Sequence, residues 1–171
     1  MKKCAVVLAV ILLLSLSFGC RAKEQVTLNV LNWGDYIDES VLKQFEAEHP
    51  GIKINYLTAA SNEEMLIKLT APDSIYDICF PSDYIIEKMI EKDMLHQLNK
   101  ENIPNLKNID TRFLDLAFDR DNLYSVPYMW GTVGILYNTD FVKEPVHSWR
   151  ILWDEAYAGQ ILMYDSIRDT I

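Results

Sequence analysis

The sequence is poor in the residues that usually build catalytic centres, metal sites and disulfide frameworks. Its 171 residues include three cysteines and three histidines. They form no CxxC pair, no HExxH motif and no GxSxG spacing, and there is no glycine-rich phosphate loop. The sequence therefore predicts neither a metal nor another cofactor, and an enzyme is not expected. Cys79, in an apolar run, is expected to be a buried hydrophobic side chain rather than a reactive thiol.

Basic residues are also few compared with acidic residues. There are 16 Lys and Arg residues against 25 Asp and Glu residues, which gives a net charge of -9. A nucleic-acid-binding protein needs a basic face, so nucleic acid is excluded as a partner. The acidic balance fits a cationic partner better. With half of its residues hydrophobic, the chain is expected to fold, and its length allows one ordinary domain.

The N-terminus predicts an export signal. Two lysines precede an apolar run over residues 5–18, which is short for a membrane span of about 20 residues. The following Gly-Cys pair resembles the cleavage site of bacterial lipoproteins, in which the cysteine is acylated. We therefore expect a signal peptide over residues 1–19, lipidation at Cys20 and a lipid-anchored linker over residues 20–25. The chain would be attached to the outer face of the cytoplasmic membrane, or periplasmic. An uncleaved anchor helix is the alternative.

Strand and helix patterns alternate after this signal. Runs rich in apolar and β-branched residues predict strands at residues 26–31, 52–56 and 76–80. Amphipathic segments that begin near residues 38, 61 and 82 predict a helix after each strand. Ser61 and Glu64 have the spacing of a capping box. This β-α-β-α-β-α order predicts an α/β fold with a doubly wound parallel sheet.

The chain after the third helix is less regular. Polar loops with one short helix near residues 111–116 are expected first. The segment 148–157 predicts a helix, and the spacing of Trp149 and Trp153 predicts that both pack in a core. Residues 160–164 predict a further strand.

The loops after the strands predict a ligand site, because open parallel sheets bind ligands outside the carboxyl ends of their strands. Two of these loops place aromatic rings beside an aspartate. Rings attract an ammonium group by about 0.5–2 kcal/mol, and carboxylates accept its hydrogen bonds. An organic cation fits such a site, although helix N-termini at the same edge favour anions. The candidate residues from these loops are Trp33, Asp35, Tyr36, Ser82, Asp83 and Tyr84.

Structural roles for the same residues stay open. Trp33 and Tyr36 could instead close the end of the sheet. Ser82 could act as a helix cap, and Asp83 could serve only to offset the helix dipole. Trp130, in an apolar stretch, fits a core position and a cleft wall equally well.

Four stretches together resemble the spermidine/putrescine-binding proteins of bacterial polyamine ABC transporters. They are Leu31–Tyr36, Ser61–Met65, Tyr76–Tyr84 and Tyr124–Gly131. The resemblance implies the two-lobed, type II fold of periplasmic binding proteins. Lobe 1 would cover residues 26–129, and residues 130–171 would start lobe 2. The chain covers roughly half of a typical member, so we expect a C-terminally truncated chain with an incomplete second lobe.

The resemblance also implies a function and further site residues. A polyamine, spermidine or putrescine, would be captured and delivered to an ABC permease, and the protein would be a monomer. Trp33 and Tyr36 would stack on the polyamine chain, and Ser82 and Tyr84 would line the same wall. At the edge of the second lobe, the corresponding acidic motif supplies Asp165, Ser166 and Asp169.

Three other functions remain open at this point. The same architecture could bind another solute, such as a sugar or an iron complex. An exported enzyme is a second alternative, although no nucleophile and base pair can be proposed. A non-functional remnant, unable to close on a ligand, is the third.

Overall fold

The computed structural model describes residues 25–164. Predictions on residues 1–24, including the signal peptide and Cys20, lie outside this range, as do those on Asp165, Ser166 and Asp169. The three strands are β1 (Val26–Trp33), β2 (Ile52–Ala59) and β3 (Ile78–Cys79). Within residues 25–164, the three α-helices are α1 (Glu39–Glu48), α2 (Asn62–Thr70) and α3 (Asp83–Glu91). Within residues 25–164, no helix is both long enough and apolar enough to cross a membrane.

The strands form one parallel sheet in the order β2-β1-β3. β1 pairs with β2 along its whole length, from Val26 opposite Ile52 to Trp33 opposite Ala59. β3 pairs with β1 through two residues only. Since each strand is followed by a helix, this arrangement confirms the predicted α/β fold with a parallel sheet.

The core lies around the central strand. Leu31, Ala59 and Met65 form a buried cluster that joins β1, β2 and α2. Val30, the neighbour of Leu31, is also buried, and successive strand residues point to opposite faces. β1 is therefore covered on both faces, as a central parallel strand requires. Each fully buried Leu or Met side chain contributes about 1.5–3 kcal/mol from its transfer out of water.

Side-chain caps fix where the first two helices begin. The Asp38 carboxylate accepts the Ser40 amide at 2.7 Å at the start of α1. The Ser61 hydroxyl accepts the Glu64 amide at 3.1 Å, and the Glu64 carboxylate accepts the Ala60 amide at 2.8 Å. The predicted capping box is thus present, with its return bond one residue earlier than in the usual arrangement.

The predicted strand boundaries need correction. β1 continues through Asn32 and Trp33, which were predicted to lie in a loop, because both pair with the last two residues of β2. Asn32 is fully buried there. β3 is shorter than predicted, since it is an edge strand with only two paired residues. Trp33 is therefore the last residue of a strand rather than the first part of a loop.

The second half of the described chain has short 3-10 helices instead of longer elements. They are Lys100–Asn102, Pro104–Asn108, Thr111–Phe113, Arg120–Asn122, Trp149–Trp153 and Glu155–Tyr157. The predicted short helix near residue 111 is confirmed as Thr111–Phe113. Three predictions for this region are wrong: the core positions of Trp149 and Trp153, the helix over residues 148–157 and the strand over residues 160–164.

Trp149 and Trp153 are not core residues, with exposed fractions of 49% and 78%. A 3-10 helix repeats every three residues, so positions four apart no longer share one face. The helix predicted over residues 148–157 is accordingly two 3-10 segments. Residues 160–164 form no strand, because no other strand of the described residues lies beside them to pair with.

Candidate functional site

The carboxyl edge of the sheet brings the predicted loops together. β1 and β2 end in register at Trp33 and Ala59, and β3 ends at Cys79, which pairs with Leu31 two residues before the end of β1. The loop over residues 34–38 therefore lies next to the loops that enter α2 and α3. This is the edge at which the sequence predicts a ligand site.

Hydrogen bonds hold Trp33 from two sides. Its indole Nε1 donates to the Phe80 carbonyl at 2.8 Å, which ties β1 to the loop after β3. Its own carbonyl accepts the Tyr56 hydroxyl at 3.0 Å, which ties it to β2. Burial raises the pKa of the Tyr56 phenol, and the nearby Asn32 amide opposes that shift. The Trp33 ring is half-buried, so it closes the sheet and still presents part of its surface.

Four aromatic residues form a closed set of contacts at this edge. The Trp33 and Tyr36 ring centroids are 5.8 Å apart at an interplanar angle of 34°. The Tyr128 hydroxyl donates to the Tyr36 carbonyl. The Tyr128 ring meets the Phe80 ring edge-on with centroids 4.8 Å apart. Since Trp33 donates to the Phe80 carbonyl, these contacts connect the loop after β1, the loop after β3 and the segment that contains Tyr128.

An open cavity of about 460 Å³ lies beside this aromatic set and is lined by residues 34–39. Three carboxylates line it, on Asp35, Asp38 and Glu39. Asp38 is engaged by the Ser40 amide, and this hydrogen bond lowers the pKa of its carboxyl. Asp38 also offsets the positive N-terminus of α1, which removes part of the field that favours anions. Asp35 and Glu39 remain to accept hydrogen bonds from a cation.

Ser82 precedes α3, but its hydroxyl does not cap that helix. The hydroxyl instead accepts Asn62 Nδ2 at 2.9 Å, and the Ser82 amide donates to Asn62 Oδ1 at 3.1 Å. Asp83 is exposed, and its Oδ1 accepts the Tyr84 amide at 2.7 Å. Tyr84 is half-buried in the first turn of the helix. The loop after β3 is thus hydrogen-bonded to α2 through Asn62.

The buried carboxylate of Asp119 holds the backbone segment that precedes Tyr128. Asp119 is 3% exposed and accepts the amides of Leu123, Tyr124 and Ser125, together with the Ser125 hydroxyl. The Ser125 contacts are the shortest, at 2.7 Å for the amide and 2.6 Å for the hydroxyl. This carboxylate fixes the backbone three residues before Tyr128.

The structure brings together some of the predicted residues and leaves others apart. Asp35 and Tyr36 line one cavity, the Trp33 ring contacts Tyr36 beside it, and Ser82 lies two residues beyond the carbonyl that Trp33 contacts. Trp130 is 69% exposed, and its ring packs against Phe113 with centroids 5.2 Å apart. It is not among the residues that line the cavity.

Sequence reasoning missed three residues that hold the site. Asn62 follows the predicted N-cap Ser61, so its position at a helix start was visible, but its partner twenty residues later was not. Asp119 lies in a stretch predicted as loop, and Tyr128 was known only as part of a motif. Within residues 25–164, no group of three or more His, Cys, Asp or Glu side chains could hold a metal ion.

The chain belongs to the bacterial extracellular solute-binding protein family, whose model matches residues 30–159. Within that class it is similar to proteins named for polyamines. The spermidine/putrescine-binding periplasmic protein of Escherichia coli is 39% identical over 153 residues, a match that covers 88% of this chain and 44% of that protein.

Two solved structures support the same fold. The substrate-binding protein PotD of a spermidine/putrescine ABC transporter from Streptococcus pneumoniae is 43% identical, with a TM-score of 0.66. That match covers 78% of this chain and 41% of PotD. The TpPotD lipoprotein of Treponema pallidum is 32% identical, with a TM-score of 0.71, and covers 77% and 41%. The chain therefore spans less than half the length of these relatives.

Proposed function

We propose that this chain captures a polyamine, spermidine or putrescine, and delivers it to the permease of an ABC transporter. One observation carries the proposal: Tyr36 lines a cavity together with carboxylates at the carboxyl edge of the sheet, and the Trp33 ring lies 5.8 Å from the Tyr36 ring. The names of the similar proteins support the same ligand class. The role is binding and transport, not catalysis.

The chemistry of the cavity suits a chain of methylenes between ammonium groups. Asp35 and Glu39 supply charge-assisted acceptors, and an ion pair at 4 Å is worth about 4 kcal/mol near a protein surface before desolvation. Each ring adds about 0.5–2 kcal/mol and covers the alkyl chain. Micromolar binding needs about 8 kcal/mol, so several of these contacts have to act together.

Calorimetric titration of the full chain with spermidine, putrescine and maltose tests the proposal. We expect saturable binding of a polyamine and none of maltose. Asp35→Asn should weaken polyamine binding roughly tenfold, through loss of one charge-assisted contact. Asp73→Asn is the matched control, because Asp73 is an exposed acid in the turn before β3, at the opposite edge of the sheet. Binding of maltose without polyamine binding, or equal losses in both variants, would contradict the proposal.

The two-lobe organisation belongs to this proposal. Residues 26–129 would form the first lobe, and residues 130–171 would begin the second, with the protein acting as a monomer. Ligand contacts from Asp83, Tyr84, Trp130, Asp165, Ser166 and Asp169 remain predictions.

Export and lipid attachment complete the proposal. Residues 1–19 would be removed as a signal peptide, and Cys20 would carry the lipid. The lipoprotein among the similar structures supports this anchoring. In a bacterial host, Cys20→Ser should move the protein out of the membrane fraction, while Cys79→Ser should leave it there. Equal membrane association of both variants would argue against lipidation at Cys20.

A further inference from the structure

The side chain of Asn62 makes an unusual pair of contacts with one residue of another loop. Asn62 is the first residue of α2 and is fully buried. Its Oδ1 accepts the Ser82 amide at 3.1 Å, and its Nδ2 donates to the Ser82 hydroxyl at 2.9 Å. Both polar atoms of one buried amide are therefore used on a single residue twenty positions later.

Helix capping and core packing do not account for this amide. Ser61 already caps α2 through the Glu64 amide. A leucine has nearly the same shape as asparagine and would fill the same space without burying polar atoms. A buried amide costs about 1–3 kcal/mol unless it is hydrogen-bonded, so its presence is explained by the bonds it makes to Ser82.

The two bonds fix the orientation of the Ser82 hydroxyl. A serine hydroxyl has two lone pairs and one hydrogen. Asn62 Nδ2 occupies one lone pair, and the hydroxyl makes no capping bond to α3. One lone pair of the Ser82 hydroxyl therefore remains, and Asn62 sets its direction. An ammonium group can donate a hydrogen bond to that lone pair. Ser82 lies two residues after Phe80, the residue that Trp33 contacts, so this direction is set at the edge of the proposed site.

We propose that Asn62 is a positioning residue, which holds the Ser82 hydroxyl in the orientation that accepts a hydrogen bond from the ligand amine. This inference rests on the proposed polyamine function. Asn62 is itself fully buried and acts on the ligand only through Ser82.

Asn62→Leu tests the inference, with Asn62→Ala as a second variant that leaves room for water. Calorimetric titration with spermidine at 15 °C should show binding weakened roughly tenfold or more in both, as expected for one lost hydrogen bond to a charged group. Ser82→Ala should show a similar loss. The double variant Asn62→Leu/Ser82→Ala should lose no more than the weaker-binding single variant, because both changes remove the same contact.

Met89→Ala is the matched control. Met89 is buried on α3 and lies outside the core cluster against which Trp33 packs. Its truncation should lower the melting temperature but leave the spermidine affinity within twofold. A purely structural Asn62 would behave in the same way. Unchanged affinity in Asn62→Leu or in Ser82→Ala would therefore overturn the inference.

A ligand-free measurement separates this inference from the proposed function. In the unliganded chain, the Ser82 amide should exchange its hydrogen faster in Asn62→Leu than in Met89→Ala. Absence of that difference would overturn the inference even if the parent chain binds spermidine. If the parent chain binds no polyamine, the proposed function falls, and the ligand role of Asn62 falls with it.

Discussion

Replacing Asp119 by asparagine should cause a large loss of stability. The carboxylate is 3% exposed and accepts hydrogen bonds from three backbone amides and one hydroxyl, at distances from 2.6 to 3.1 Å. Asparagine keeps the shape of the side chain but loses the charge, and one of its two polar atoms becomes a donor. That NH₂ group must then face at least one of the amide donors that the carboxylate now accepts.

The size of the effect follows from these contacts. A hydrogen bond to a charged group contributes about 1.5–3 kcal/mol, and an unsatisfied buried donor costs about 1–3 kcal/mol. The two figures describe the same lost bond and are not added, so the free energy of unfolding should fall by about 1.5–3 kcal/mol. Natural domains have about 5–15 kcal/mol in total. For a chain of this length, the melting temperature should fall by roughly 3–12 °C.

Urea unfolding, followed by circular dichroism, measures this loss. The midpoint should fall while the slope stays constant, because the surface exposed on unfolding is unchanged. Asp140→Asn is the control, since Asp140 is exposed and the same charge is removed. Its stability should change by less than about 0.5 kcal/mol. If Asp119→Asn is as mild as Asp140→Asn, the carboxylate does not organise the segment before Tyr128.

Two further predictions concern titratable groups. Burial raises the pKa of the Cys79 thiol to about 11. At pH 8, Ellman's reagent should therefore label Cys79 slowly in the native chain and rapidly in urea, which peptide mass spectrometry can measure. Equal labelling rates would place the thiol at the surface. The Lys53 ammonium, at 2.7 Å, and the Ile54 amide lower the pKa of Glu46 from its usual 4.5. The ionised Glu46 therefore stabilises the folded chain above pH 4.5, and this contribution is lost as the pH falls through the lowered pKa. In Glu46→Gln, the free energy of unfolding should fall less steeply with decreasing pH on the acid side. Glu91→Gln, at an exposed residue, should leave that pH dependence unchanged.

The sequence predicted the parts of the fold that depend on local patterns. Apolar runs, capping residues and their alternation identified three strands, three helices and the parallel sheet, and the helix starts at Asp38 and Ser61 were correct. Strand ends were less accurate, because Asn32 belongs to β1 only through its pairing with β2. No local pattern reveals such a partner.

The same reason explains which site residues were found. Trp33, Asp35 and Tyr36 follow one another in the chain, so their meeting at one edge follows from the strand that precedes them. The bond between Asn62 and Ser82 joins residues twenty positions apart, and Tyr128 reaches Tyr36 across ninety-two positions. Contacts of this range depend on the packed sheet and on where each loop leaves it.

The aromatic residues of the site are held mainly by hydrogen bonds to backbone carbonyls. The shape of the site therefore depends on different groups from those that set its ligand preference. Trp33 donates to a carbonyl of the third loop, Tyr56 donates to the carbonyl of Trp33, and Tyr128 donates to that of Tyr36. A carbonyl acceptor does not depend on the side chain of the residue that carries it. Of the acids that line the cavity, Asp38 caps α1, whereas Asp35 and Glu39 can set the charge of the cavity without disturbing the aromatic contacts. On this basis, the choice of solute should respond to Asp35 and Glu39, whereas the aromatic donors should govern whether the wall forms at all.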